Sequence, residues 1–129
     1  MGRIMLATSA STDEEYGGTF EEIKTSGSIS KYSQITGGTL DRDSLVKVGN
    51  TVFASARLYN ITESSVGYYF EIPSGYRPKT KQYVMAYTVI DSVFIPIQAE
   101  INTNGLVMIS YSQSKNTTQV GFSGSWTVA

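Results

Sequence analysis

Chemistry needs side chains that move protons, attack, ligate or stack, and this 129-residue chain lacks two of the usual ones: it contains no histidine and no cysteine. The first absence removes the side chain that ordinarily transfers protons near neutral pH, which is also the commonest metal ligand; the second removes thiolates as nucleophiles and as zinc ligands. Carboxylate pairs remain. Asp41 with Asp43, or Glu71 with Glu100, could act as acid and base on a glycan. No spacing rule places either pair across a scissile bond, so solvated positions are the simpler expectation. Asp41-Arg42-Asp43 lacks the further acidic positions and the glycine of an EF-hand calcium loop. Nucleophile-elbow, P-loop and dinucleotide-binding glycine patterns do not occur. The expectation is a protein that is not an enzyme and uses no metal or cofactor.

Aromatic surface is plentiful: nine tyrosines, five phenylalanines and one tryptophan. Saccharide recognition uses an aromatic platform with a few well-placed donors and acceptors beside it. Tyr87, Tyr111 and Trp126 are candidate platforms, and Asp91, Gln98 and Asn116 candidate polar partners. Taken singly, each is more simply structural; Trp126 fits a core anchor whose burial contributes roughly 1.5–3 kcal/mol. Ten basic against eleven acidic residues give a net charge of -1, too balanced for the basic footprint of a nucleic-acid binder. No apolar run approaches the roughly 20 residues that span a bilayer, so membrane insertion is not expected.

The elements that must hold such a site are strands. The length allows one domain with one moderate core. Residues 8 to 43 are rich in Ser, Thr, Gly and acids, and residues 1 to 43 are expected to form a linker or shoulder with short strands near 19–24 and 28–35. Ordinary edge strands of the same domain are the alternative. Residues 44 to 129 show short β-rich runs with turn signals between them, the pattern of an antiparallel β-sandwich or jelly roll.

Gly49-Asn50 suits a type II′ hairpin turn; in the strand after it Val52, Ala54, Ala56 and Leu58 should face the core. Asn104-Gly105 signals a two-residue type I′ turn, which would place Leu106 and Met108 on the core face with Ile97, Ala99 and Ile101. The run 82 to 90 is apolar at both parities and is expected to be covered on both sides, by residues 8 to 43 or by a second subunit; a symmetric oligomer is preferred. Val120, Phe122, Trp126 and Val128 share one parity, and Gly121 and Gly124 mark bulges or close backbone approach.

Ile72-Pro73-Ser74-Gly75-Tyr76-Arg77-Pro78 forms a rigid corner. Pro73 is expected at the second turn position and Gly75 at the fourth, Pro78 keeps Arg77 extended, and Arg77 braces backbone carbonyls. This corner, the Gly-Asn hairpin with Val52-Phe53-Ala54-Ser55-Ala56-Arg57, the segment Ile101-Asn102-Thr103-Asn104-Gly105-Leu106-Val107 and the terminal Gly124-Ser125-Trp126 together resemble the C-terminal receptor-binding head domains of bacteriophage tail-fibre and baseplate proteins.

The resemblance covers residues 44 to 129. It implies a homotrimeric β-sandwich or jelly-roll head at the tip of a virion tail, made in the bacterial cytoplasm, assembled with other tail or baseplate proteins and binding host cell-wall glycan or teichoic acid. Three copies would turn weak sites into useful avidity. Other open expectations are a non-binding cap that trimerises and ends a fibre, and a bacterial carbohydrate-binding module; a depolymerase is the least favoured.

Overall fold

The computed structural model describes residues 23–63, 67–109 and 117–128. Among them there is no helix. The strands are β1 (Lys24–Ser26), β2 (Ser30–Lys31), β3 (Thr36–Val48), β4 (Thr51–Glu63), β5 (Tyr68–Glu71), β6 (Gln82–Ile90), β7 (Val93–Ile101), β8 (Leu106–Met108) and β9 (Thr117–Thr127). They form one antiparallel nine-stranded sheet in the order β1-β3-β4-β9-β6-β7-β8-β5-β2. The sheet curls over itself: Phe70 of β5 meets Phe122 of β9 edge to face with ring centroids 5.1 Å apart, although β6, β7 and β8 lie between their strands in the ladder.

Period-two alternation decides which side goes inward. Val52, Ala54, Ala56 and Leu58 of β4, Val84, Ala86 and Thr88 of β6, Ala99 and Ile101 of β7, and Val120, Phe122 and Trp126 of β9 are all buried. Gly124 lies where a Cβ would run into Val84, so a close approach between β9 and β6 requires glycine there.

The part of the expected N-terminal shoulder that is described enters this same sheet. β1 pairs with β3, β2 pairs with β5, and Ile29 and Ile35 are buried in the core. Position 43/44, the expected junction with the head, falls inside β3 at a register shift between Asp41 and Ser44.

Two tight turns connect long strands. At Gly49-Asn50 the backbone φ is +60° at Gly49, with Val48 paired to Thr51, the sign a type II′ turn needs at its first central residue. At Asp91-Ser92 both residues have positive φ, 51° and 65°, and Ile90 pairs with Val93, which defines a type I′ hairpin with no glycine in it.

Two local expectations need correction. Asn104-Gly105 is not a two-residue turn: Gly105 N–H donates to the Asn102 carbonyl and Asn102 N–H to the Leu106 carbonyl, closing a three-residue loop with Gly105 at φ +92°. The added residue pairs Ile101 with Val107 and turns β8 over, so Val107 and Ile109, not Leu106 and Met108, lie fully buried. In the corner, Tyr76 N–H donates to the Pro73 carbonyl at 3.2 Å, making Pro73 the first residue and Gly75, at φ +93°, the third. A type II turn needs positive φ at its third position, and that fixes the frame.

The corner is tied down from several sides. Arg77 Nε donates to the Ile72 carbonyl at 2.8 Å, and its Nη2 lies 3.4 Å from Glu71. Lys47 Nζ donates to the Gly75 carbonyl at 2.9 Å, while Trp126 Nε1 donates to the Tyr76 carbonyl at 2.7 Å. Pro78 is buried behind them.

Among the described residues, the expected cover on both faces of β6 is not found. Its inner residues are buried, but on the outer face Tyr83 is 58% and Met85 80% exposed. No described element crosses that face.

Candidate functional site: a groove on the outer face of the sheet

The outward residues of β9 are small. Gly121, Ser123 and Ser125 alternate with the buried Val120, Phe122 and Trp126, and β9 lies between β4 and β6. Except at Ser55, the neighbouring strands present larger side chains at the paired positions. Arg57 and Tyr87 flank Gly121, Ser55 and Met85 flank Ser123, and Phe53 stands beside Ser125. A low strand between two high ones makes a groove.

A pocket in it, of about 550 Å³, is bounded by Arg57, Tyr87, Phe94, Met85 and Ser123, with Arg42 at the β3 side. Smaller depressions of about 290 and 350 Å³ continue along Ser123, Gly124 and Ser125.

The aromatic wall is held in place from below and from the side. The Tyr87 ring lies so close to the Gly121 backbone that a Cβ at 121 would collide with it. Gln119 Nε2 donates to the Tyr87 hydroxyl at 2.8 Å. Phe94 stacks on Tyr87 with centroids 5.0 Å apart and planes 22° from parallel. The type I′ turn at Asp91-Ser92 puts Val89 opposite Phe94, so Phe94 comes to sit diagonally beside Tyr87. Phe94 is 62% exposed and offers an open apolar flank.

The opposite wall is electrostatic. Arg57 Nε and Nη2 donate to the two oxygens of Asp41 at 2.7 and 2.5 Å, and the guanidinium lies over the Tyr59 ring at 4.7 Å. The hydrogen bonds from Arg57 hold the Asp41 carboxyl below its ordinary value, with the charges of Arg57 and Arg42 acting in the same direction; the Arg57 guanidinium is raised in turn. The second pair of carboxylates weighed for acid–base work is also near cations. Glu71 is 3.4 Å from Arg77, and Glu100 is 3.5 Å from Lys81. Among the described residues no group of three acidic side chains is placed to hold a metal ion.

Of the residues singled out in the sequence, Tyr87 lies in the groove wall, and Gln98, exposed on the outer face opposite Met85, borders one of its smaller depressions. Asp91 is at the tip of the β6–β7 turn. Trp126 is only 4% exposed and faces the core, where it anchors the corner, so its ring gives no platform to a surface ligand. Tyr111 and Asn116 lie outside the described residues.

Arg42, Arg57, Phe94 and Ser123 are not among the residues the sequence points to as ligand contacts, and Gly121 is marked there only as a position of close backbone approach, which it is, beneath Tyr87. Parity contained a signal for three of them: Arg57 shares the outer side of β4 with Phe53 and Tyr59, while Gly121 and Ser123 share the outer side of β9. Recognising Asp91-Ser92 as a two-residue turn would have brought Phe94 beside Tyr87.

No family model matches the chain, and no curated protein matches it. The groove must be interpreted from its own chemistry.

Proposed function

We propose that the chain is a receptor-binding head domain of a bacteriophage tail fibre or baseplate, which binds a host cell-surface saccharide in the outer-face groove without catalysing a reaction. The observation that carries the binding half is the Tyr87–Phe94 stack beside the serines Ser55 and Ser123. An exposed ring edge packs on the apolar face of a sugar, and nearby hydroxyls and backbone groups take its polar rim. Exposed grooves of this kind suit weak sites that gain from repetition.

The tail-fibre half rests on the sequence resemblance. It agrees with a curled sheet whose β5 faces β9, an arrangement suited to a sandwich-like head. Trimerisation is supported by the other end of the same face, where Phe53, Tyr83 and Met85 are 51%, 58% and 80% exposed. Large exposed apolar patches commonly mark contact surfaces. In this proposal the Phe53–Tyr83 end meets a neighbouring subunit, the Tyr87–Phe94 end stays open to ligand, and Met85 lies at the boundary between them. Tail or baseplate proteins are the remaining partners, and the virion is the site of action.

The test is binding of labelled protein to whole bacteria and to an array of bacterial surface polysaccharides. Phe94→Ala removes the exposed ring, and Ser123→Tyr fills the floor; each is expected to weaken binding about tenfold or more, roughly 1.4 kcal/mol, with circular dichroism unchanged. Binding that survives both substitutions would place the site elsewhere. A wild-type protein that binds no surface would favour a cap that only trimerises, the use to which the exposed Tyr83–Met85 patch alone would point.

A further inference from the structure

We infer that the saccharide held in this groove carries an anionic group, a carboxylate or a phosphate, and that Arg42 receives it; the inference rests on the saccharide-binding proposal above. Two independent observations lead there. The first is charge. Among the described residues, the 550 Å³ pocket of the groove is bordered by two guanidinium groups, Arg42 and Arg57, and by no carboxylate. Both oxygens of Asp41 are taken by Arg57, and among the described residues Arg42, the other guanidinium at that end, forms no ion pair of its own.

The second is backbone conformation. Between Asp41 and Ser44 strand β3 carries one more residue than β4 opposite it, and Arg42 sits in this bulge at φ +53°. A bulge residue in the left-handed region is ordinarily glycine, and an L-side chain there costs roughly 1–2 kcal/mol. Bulges re-aim side chains, and strain of this sort is concentrated at functional positions. Here the bulge takes residue 42 out of strict alternation, and its side chain borders the groove. A guanidinium is suited to both anions, since its planar fork matches carboxylate and phosphate oxygens bidentately.

Three oligosaccharide or polyol probes of similar length decide the matter when titrated into the full chain by calorimetry, at low and at near-physiological salt: oligogalacturonate, oligo(glycerol phosphate) and neutral oligogalactan. One anionic probe is expected to bind at least about tenfold more tightly than the neutral one, equivalent to about 1.4 kcal/mol, with the margin shrinking as salt rises. Which anionic probe wins distinguishes carboxylate from phosphate.

Arg42→Gly is the decisive variant, because glycine relieves the backbone and the fold should become more stable while the anionic preference is lost. Arg42→Gln should lose the preference too, the affinity for the anionic probe falling to that of the neutral one in both. Equal or tighter binding of the neutral probe overturns the anionic inference and leaves saccharide binding standing. A preference that persists in Arg42→Gly and Arg42→Gln overturns the role of Arg42. Failure of all three probes to bind removes both this inference and the saccharide reading.

Discussion

Tyr87 is placed by what lies beneath it. Its ring fits against the β9 backbone only because position 121 has no side chain, and the Gln119 amide then fixes the hydroxyl. Gly121→Ala is therefore expected to destabilise the fold by about 1–3 kcal/mol, as overpacking does, and to tilt the ring away from Phe94. Denaturant unfolding and the loss of ring-current shifts at Phe94 would measure the two effects.

The Asp41–Arg57 pair gives a second residue-scale expectation. Because the folded carboxyl is depressed below its ordinary value of 3.8, the pair's contribution to stability is complete above the unfolded value. It is lost only as pH falls through the lower folded value. Stability should not respond to this pair between pH 5 and 8. A carbon-detected NMR titration should put the Asp41 midpoint below 3.8, and Arg57→Ala should return it towards that value. A wild-type midpoint at or above 3.8 would contradict the hydrogen-bonded pair.

At the level of elements, the strands were legible and the junctions less so. Strict alternation in β4 and β9 identified Val52, Ala54, Ala56, Leu58, Val120 and Phe122 as core, because a half-buried strand leaves little freedom about which parity goes inward. The hairpin at Asn104-Gly105 was legible as a turn but not in register. Asn-Gly is compatible both with a two-residue turn and with a type I turn closed by a left-handed glycine, and these differ by one residue, enough to invert β8.

Tertiary contacts chose between them: a Cβ at Gly105 would collide with the Ile72 carbonyl and with Arg77 Nε, so the loop is packed against the corner. Gly105→Ala should accordingly cost about 2 kcal/mol or more, from the left-handed φ and the lost fit together. A chemical-denaturation shift much smaller than this would mean that the loop is not docked on Ile72 and Arg77. The groove itself was illegible for a related reason. It depends on β9 lying between β4 and β6, a sheet order in which the last strand inserts among earlier ones, and no local pattern encodes that.

For the whole molecule, one argument for an oligomer has become narrower. Val107 and Ile109, which a two-residue turn at Asn104-Gly105 would turn to the outer surface, fill the core. What remains is the outer side of β6 with its neighbour Phe53. Burying a side chain such as Met85 contributes roughly 1.5–3 kcal/mol, so a threefold contact made by several of these residues would be a substantial one. Sedimentation equilibrium on the 14.1 kDa chain tests this directly, with Met85→Glu alongside as a change confined to an exposed position. A head finished by its neighbours should sediment at about three times the chain mass at micromolar concentration, and Met85→Glu should return it to the single-chain mass with its β-sheet spectrum intact. A wild-type protein that stays monomeric would contradict the claim that the outer face of β6 is completed by other subunits.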